Sequence, residues 1–207
     1  TVNYNGSTQI VGNYNYYHLT VSGSNTKTLQ NGASIGGNLN IGDETTLDIG
    51  SNSLTVTGTT TIGGGSSGNL LISGYNTSRI FTGLVTINAG GTWNNSVSSP
   101  VTFRGGITNN GTFTAGNTYT YTFDTNAQSL NGNLNMSGST VVVTGINLTN
   151  YGTLTLGSAL NGSGALINSS SGALNIEGSG YINIATLTNQ GAFTVTSSGG
   201  FGTSAAN

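Results

Sequence analysis

Apolar and small polar residues take turns along this chain, three to five at a time, and each run ends at a Gly, Asn or Ser. The clearest runs are Leu39 to Ile41, Leu47 to Ile49, Leu54 to Val56, Val85 to Ile87, Val101 to Phe103, Leu134 to Met136 and Leu174 to Ile176. A period of two, enriched in Val, Ile, Thr, Tyr and Phe, predicts short strands with one buried face. No segment repeats apolar residues at i, i+3, i+4 and i+7 for long enough to predict a helix, so the expected class is all-β.

Short strands with frequent turns build either a β-sandwich or a stacked solenoid, and the spacing of internal copies discriminates between them. The phrase LTNYGTLT at Leu148 to Thr155 has near copies, ITNNGTFT at Ile107 to Thr114 and LTNQGAFT at Leu187 to Thr194, 41 and 39 residues away. LINSSSGALN at Leu166 to Asn175 lies midway between two of them. The Gly-Thr-aromatic ending at Gly91 to Trp93 stands 20 residues before the one at Gly111 to Phe113. A unit of about 20 residues made only of strands and turns cannot bury its own apolar face and must stack on its neighbours. The expectation is a single-domain parallel β-solenoid (β-helix) over residues 1–207, with roughly ten coils and a length on the order of 50 Å at about 4.8 Å per coil. A β-sandwich is the alternative. Irregular coils with bulges or protruding loops are expected around Asn76 to Arg79 and Asn94 to Pro100.

In the repeated phrase, Leu148 and Leu154 point inward while Asn150 to Gly152 turns the corner. Gly supplies positive φ there, and Asn tolerates it and bonds its own backbone. Stacking then sets Asn109, Asn150, Asn168 and Asn189 in equivalent corners, where their amides bond along the rod. The inward set includes Leu39, Ile41, Leu47, Ile49, Leu54, Val56, Val85, Ile87, Phe113, Leu154 and Phe193. Near the start, inward Leu19 and Val21 predict Tyr17 inside and Tyr16, His18 and Thr20 outside.

Composition removes several function classes. The 207 residues hold 35 Gly, one Pro and no Cys, and 4% are charged, against about 25% in an ordinary domain. Lys27, Arg79 and Arg104 are the only cations, so there is no electrostatic footprint for nucleic acid. No run approaches the roughly 18 apolar residues of a membrane-spanning helix. The opening TVNYNGSTQIV lacks a basic start and apolar core, so the chain reads as a mature or excised segment. Disulfides and thiolate metal sites are excluded by the absence of cysteine.

Candidate chemistry is sparse. His18 is the only histidine, so no histidine metal cluster or Ser-His-Asp arrangement exists. Asp43, Glu44 and Asp48 form the only acidic cluster and are the place to ask about calcium, although Asp48 falls on the outer face and Asp43 and Glu44 in a turn. IGGGSSGNLLI at Ile62 to Ile72 lacks the aspartate of calcium-binding glycine repeats and reads as a flexible turn. Asp124 and Glu177 stand alone in sequence, and Arg79 with Arg104, 25 residues apart, is the nearest approach to a basic patch. Hydrolysis or elimination on a sugar needs paired titratable groups. The reading is therefore not an enzyme, with no catalytic, cofactor-binding or metal residue and no cofactor. Tyr14, Tyr16, Tyr17, Tyr119, Tyr121 and Trp93 are either rungs inside the solenoid or outer platforms for sugar rings or a protein. Threonine runs at Thr55 to Thr61 and Thr118 to Phe123 suggest an ice-binding face, but do not recur at every coil.

The stretches Val2 to Gly32 and Gly36 to Gly58 resemble the β-strand repeats of very large secreted bacterial surface proteins. The matching residues are Tyr4, Gly6, Gln9, Val11, Tyr16 or Tyr17, Leu19, Ser22, Gly23, Lys27, Thr28, Leu29, Leu39, Leu47, Asp48, Ile49, Gly50, Leu54, Val56 and Gly58. The remainder is similar in style to filamentous β-helical adhesins. The resemblance covers about a quarter of the chain and brings no catalytic residues. It implies a secreted, cell-surface protein, either a segment of an adhesin stalk or a subunit of an extracellular fibre. The expected partners are copies of itself through end-to-end β-edge contacts. Surface glycans enter through a second reading, a carbohydrate-binding adhesive module, and ice binding is the third.

Overall fold

A computed structural model describes residues 1–198 apart from Asn76, Ser98, Thr118 and Ser197; residues 199–207 lie outside the described residues. Short strands wind through ten parallel coils and form three faces. Coil 2 shows the pattern: Leu19–Val21 on the first face, Asn25–Leu29 on the second and Ala33–Ile35 on the third. Every ladder is parallel. Leu19 pairs with Leu39, which pairs with Thr60, then Val85, then Ile107, so successive coils lie 20, 21, 25 and 22 residues apart. The solenoid expectation therefore holds, and no helix occurs among the described residues.

Alternation explains what is inside. In three-residue strands such as Leu39–Ile41, Leu54–Val56 and Val85–Ile87 the outer two side chains face the axis and the middle one faces out, whereas in Asn69–Leu71, Thr92–Asn94 and Thr112–Thr114 only the middle one faces in. The inward side chains form one continuous core. Each large apolar side chain enclosed in this way contributes about 1.5–3 kcal/mol relative to exposure. Of the expected inward residues, Leu39, Ile41, Leu47, Ile49, Leu54, Val56, Val85, Ile87, Phe113 and Leu154 are buried. Phe193 is only partly covered, because no described coil lies above Ala192–Val195. Coils 4 to 6 are filled by aromatic rungs. Phe81, Phe103 and Phe123 stack along the third face at 5.8 and 5.5 Å, and Trp93 stacks on Phe113 at 5.9 Å.

One prediction at the start of the chain is reversed. Tyr16 is buried and Tyr17 is 74% exposed. Asn15–Tyr16 and Leu19–Val21 are separate strands on different faces, with the corner at Tyr17 and His18, so alternation counted back from Leu19 does not survive the bend. His18 is half-buried rather than outside.

The stack has one seam. Ile107 pairs with Leu130 and Asn109 with Gly132, whereas the coil above pairs Gln128 with Leu148 and Leu130 with Asn150. Coil 7 has therefore slipped by two residues against coil 6 relative to the repeated corners. A slip of two preserves which side chains face inward, since strand side chains alternate with period two. The second face records the slip. A six-stranded sheet from Gln9–Val11 ends at Thr112–Thr114, and the ladder resumes as a separate run at Asn133 to Met136, within the strand Gln128–Met136. Between these two edges lies a cleft of about 240 Å³.

Candidate functional site

Of the acidic residues Asp43, Glu44 and Asp48, the two aspartates each hold a separate backbone turn. Asp43 Oδ1 accepts the backbone amides of Gly64 at 2.7 Å, Ser67 at 3.0 Å and Ser66 at 3.3 Å. These bonds, that from Ser67 foremost, hold its carboxyl below the usual aspartate range. The glycine-rich run is thus no free turn: coil 3 supplies the carboxylate around which Gly64 to Ser67 of coil 4 wraps. Asp48 Oδ1 accepts from Ser73 Oγ at 2.6 Å and from the Gly50 amide at 2.9 Å. Among the described residues no three His, Cys, Asp or Glu side chains are placed together so that they could hold a metal ion.

The expected pairing of Arg79 with Arg104 does not form. Arg79 is fully buried. Its Nη1 donates to Thr77 O at 2.7 Å and Ser99 Oγ at 2.8 Å, and its Nη2 to Gly50 O at 2.7 Å and Gly74 O at 3.2 Å. Desolvation lowers its pKa. Arg104 lies outside and bridges Asp124 at 2.8 Å, so Asp124, isolated in sequence, is paired in space. Burial works to raise the Asp124 pKa, but the bonds from Arg104 and Thr125 outweigh it and hold the carboxyl below its usual range. Half-exposed pairs of this kind contribute at most about 1 kcal/mol.

Lys27 is the second enclosed cation. It takes an inward position on the second face, between Gln9 and Leu47, and its Nζ donates to Ser24 O at 2.6 Å and Gly6 O at 2.8 Å. Desolvation lowers its pKa too. Both cations escaped the sequence reading, though a signal was present: Lys27 shares the phase of Leu29, and Arg79 that of Phe81. The loops expected at Asn76 to Arg79 and Asn94 to Pro100 fold into this polar corner, although Asn76 and Ser98 themselves lie outside the described residues. There Asn95 Nδ2 donates to Ser99 O and to the Tyr121 hydroxyl, whose pKa burial pushes up to about 12.

The asparagine corners behave as expected over three rungs. Asn150 Nδ2 donates to Asn168 Oδ1 at 2.9 Å, and Asn168 Nδ2 donates to Asn189 Oδ1 at 2.7 Å. Each amide also reaches a backbone carbonyl of the next coil, Ala173 O from Asn150 and Ala192 O from Asn168. Asn109 is a correction. It donates to Asn133 O at 2.6 Å, but the seam sets side-chain-less Gly132 over it, so it joins no amide ladder.

The aromatic candidates divide. Trp93 and Tyr121 are fully buried and Tyr16 is 4% exposed, which removes Trp93 and Tyr16 as outer platforms. Tyr16 and Tyr4 share a hydroxyl hydrogen bond at 2.9 Å, and burial and this bond raise the Tyr16 pKa. Tyr14 and Tyr17 remain exposed, with Tyr17 packed edge-on against His18. His18 Nδ1 accepts the Asn38 amide at 2.8 Å, so this imidazole fixes a corner.

Outward threonines recur more than the sequence spacing indicates. The column Thr26, Thr46, Asn69, Thr92, Thr112 runs beside Thr28, Asp48, Leu71, Asn94, Thr114, until the seam ends both. Coil lengths vary, so register alone reveals the alignment. Thr118, in the second threonine run, lies outside the described residues. No protein-family model, curated protein or solved structure matches the chain.

Proposed function

We propose that this chain is a non-enzymatic structural protein of the bacterial cell exterior, a rod segment of a surface fibre or adhesin stalk that associates with further copies through its coil edges. One observation supports the reading: every described ladder is parallel and joins one coil to the next, so a coil edge is a surface on which a further coil can pair. In the first and last described coils the inward-phase Val2 and Val195 are 45% and 48% exposed. An unpaired parallel edge with an apolar rung is a template for another coil. A head-to-tail contact of this kind propagates unless its rotation closes into a ring. With five acidic and three basic side chains in the whole chain, little charge repulsion opposes end-on approach. Secretion and a surface location are part of this proposal on the resemblance of Val2 to Gly32 and Gly36 to Gly58 to secreted repeats.

The test is sedimentation and electron microscopy of the purified chain across a concentration series. Rods that lengthen with concentration support the assignment. Single rods that stay monomeric at every concentration overturn the self-association and leave the stalk reading without a fibre.

A further inference from the structure

We infer that the seam cleft on the second face is a binding subsite for one neutral sugar ring. The cleft exists because coil 7 slipped by two residues, which left the edge of Thr112–Thr114 without a ladder to Asn133 to Met136. Elsewhere along this face a strand of the next coil closes the equivalent space. Here Phe113 and Ala115 lie at the bottom, and Thr114, Asn117, Asn135, Ser137 and Gly138 line the rest of the cleft.

Three features select the ligand class. No charged side chain lines the cleft, so nothing in it recognises phosphate, sulfate or a carboxylate. The ring of Phe113, 8% exposed, shows at the bottom of the cleft beneath a rim of polar side chains, and that combination suits a molecule with an apolar C–H patch and a hydroxyl-studded edge, as a pyranose has. The volume, about 240 Å³, falls below that of drug-sized sites, so the cleft takes a single ring rather than an oligosaccharide.

The site is also rigid. Phe113 is stacked on Trp93 at 5.9 Å and packed against Tyr121 at 6.0 Å, so the floor cannot fold away. Asn135 Oδ1 accepts the Ser137 amide at 2.9 Å, which orients the side chain. The exposed tyrosines Tyr14 and Tyr17 are the rival location for a sugar, but they lie on coil 1, far along the stack from the seam.

The experiment is an NMR titration of the isotope-labelled full chain with methyl β-glucopyranoside and, separately, the methyl glycoside of N-acetylglucosamine. The expected result is saturable shift changes at the Phe113 ring and at the amides of Thr114, Asn135 and Ser137. Thr114→Val and Asn135→Ala, each removing one outward hydrogen-bonding group, should weaken binding by about fivefold to tenfold. Thr55→Val, on the third face, should leave it unchanged. Both rim positions are exposed, so folding is retained, and an unchanged far-ultraviolet spectrum checks it. Shifts centred on Tyr14 and Tyr17, no saturable shift with either glycoside, or equal affinity in the two rim variants and the parent would each overturn the assignment.

Discussion

Aspartate in place of Asn168 keeps the shape of the side chain and deletes its donors. In the protein, Asn168 is fully buried; Nδ2 donates to Asn189 Oδ1 at 2.7 Å and Ala192 O at 2.8 Å, and Oδ1 accepts from Asn150 Nδ2 at 2.9 Å. Asn168→Ala removes three hydrogen bonds of about 1 kcal/mol each. Water reaches the exposed Asn189 and offsets part of the loss, so the cost is about 2–3 kcal/mol. Asn168→Asp keeps the bond from Asn150 but aims a carboxylate at two acceptor oxygens with no cation beside it. That costs about 3–5 kcal/mol, as for other uncompensated buried charges.

Protonation relieves the aspartate variant. Burial and the facing oxygens raise its folded pKa above the unfolded value of about 3.9. The folded state then binds more protons than the unfolded one, so stability is greatest below the unfolded pKa and is lost as pH rises through the folded pKa. Asn168→Asp should therefore be less stable than Asn168→Ala at about pH 7, and the gap should close toward about pH 4. Urea unfolding followed by circular dichroism at both pH values measures this, with outward Asn161→Asp as the control. Because coils touch only their neighbours, hydrogen exchange should locate the loss in the coils from Asn150 upward. If Asn168→Asp unfolds with Asn161→Asp at neutral pH, or if its deficit ignores pH, the ladder does not stabilise the stack as described.

Three further outcomes follow. Leu154→Asp should cost several kcal/mol by burying an unpaired carboxylate, while Thr153→Asp, one residue away and facing out, should be nearly neutral in urea unfolding; equal tolerance contradicts the alternation. Desolvated Lys27 titrates below an ordinary lysine, so folding should strengthen as pH rises from its depressed folded pKa toward about 10.4. Lys27→Met should show a smaller rise in urea midpoint between about pH 8 and about pH 9.5, below the tyrosine range; parallel pH profiles would refute the enclosed ammonium. Gly132→Ala should destabilise by more than about 3 kcal/mol, since φ is +85° and a Cβ would strike the Asn109 carbonyl. Gly145→Ala, at φ +65° with open space around it, should cost about 1–2 kcal/mol, and thermal melting compares the two.

What was legible in the sequence was whatever depends on period two within one strand. Leu39, Ile41, Leu54 and Val56 needed nothing more, and the copies at Ile107, Leu148, Leu166 and Leu187 supplied the coil length. What was not legible crosses a corner or joins two coils. Tyr16 and Tyr17 exchanged places because a corner resets the phase. Asp43 anchors a turn more than 20 residues later, and Arg104 meets Asp124 at a similar distance; only the register brings either pair together. The cleft was invisible for the same reason, since Phe113, Thr114 and Asn135 are ordinary members of the alternating pattern and become a site only where two coils fail to pair.

That failure is itself written in one residue. Corners that keep the common register present Asn150, Asn168 and Asn189, whereas the corresponding residue of coil 7 is Leu130. An asparagine there would be set over Ile107, in an apolar column where its amide has no ladder below it. Leucine packs on Ile107 and is 1% exposed, and the slip that puts it there also leaves Asn109 beneath glycine, bonded to a backbone carbonyl instead of another amide. Leucine at the corner, glycine at position 132 and the open edge at Thr112–Thr114 are therefore three consequences of one register choice. The departure at Leu130 is where the second-face ladder is interrupted and where the proposed sugar subsite lies.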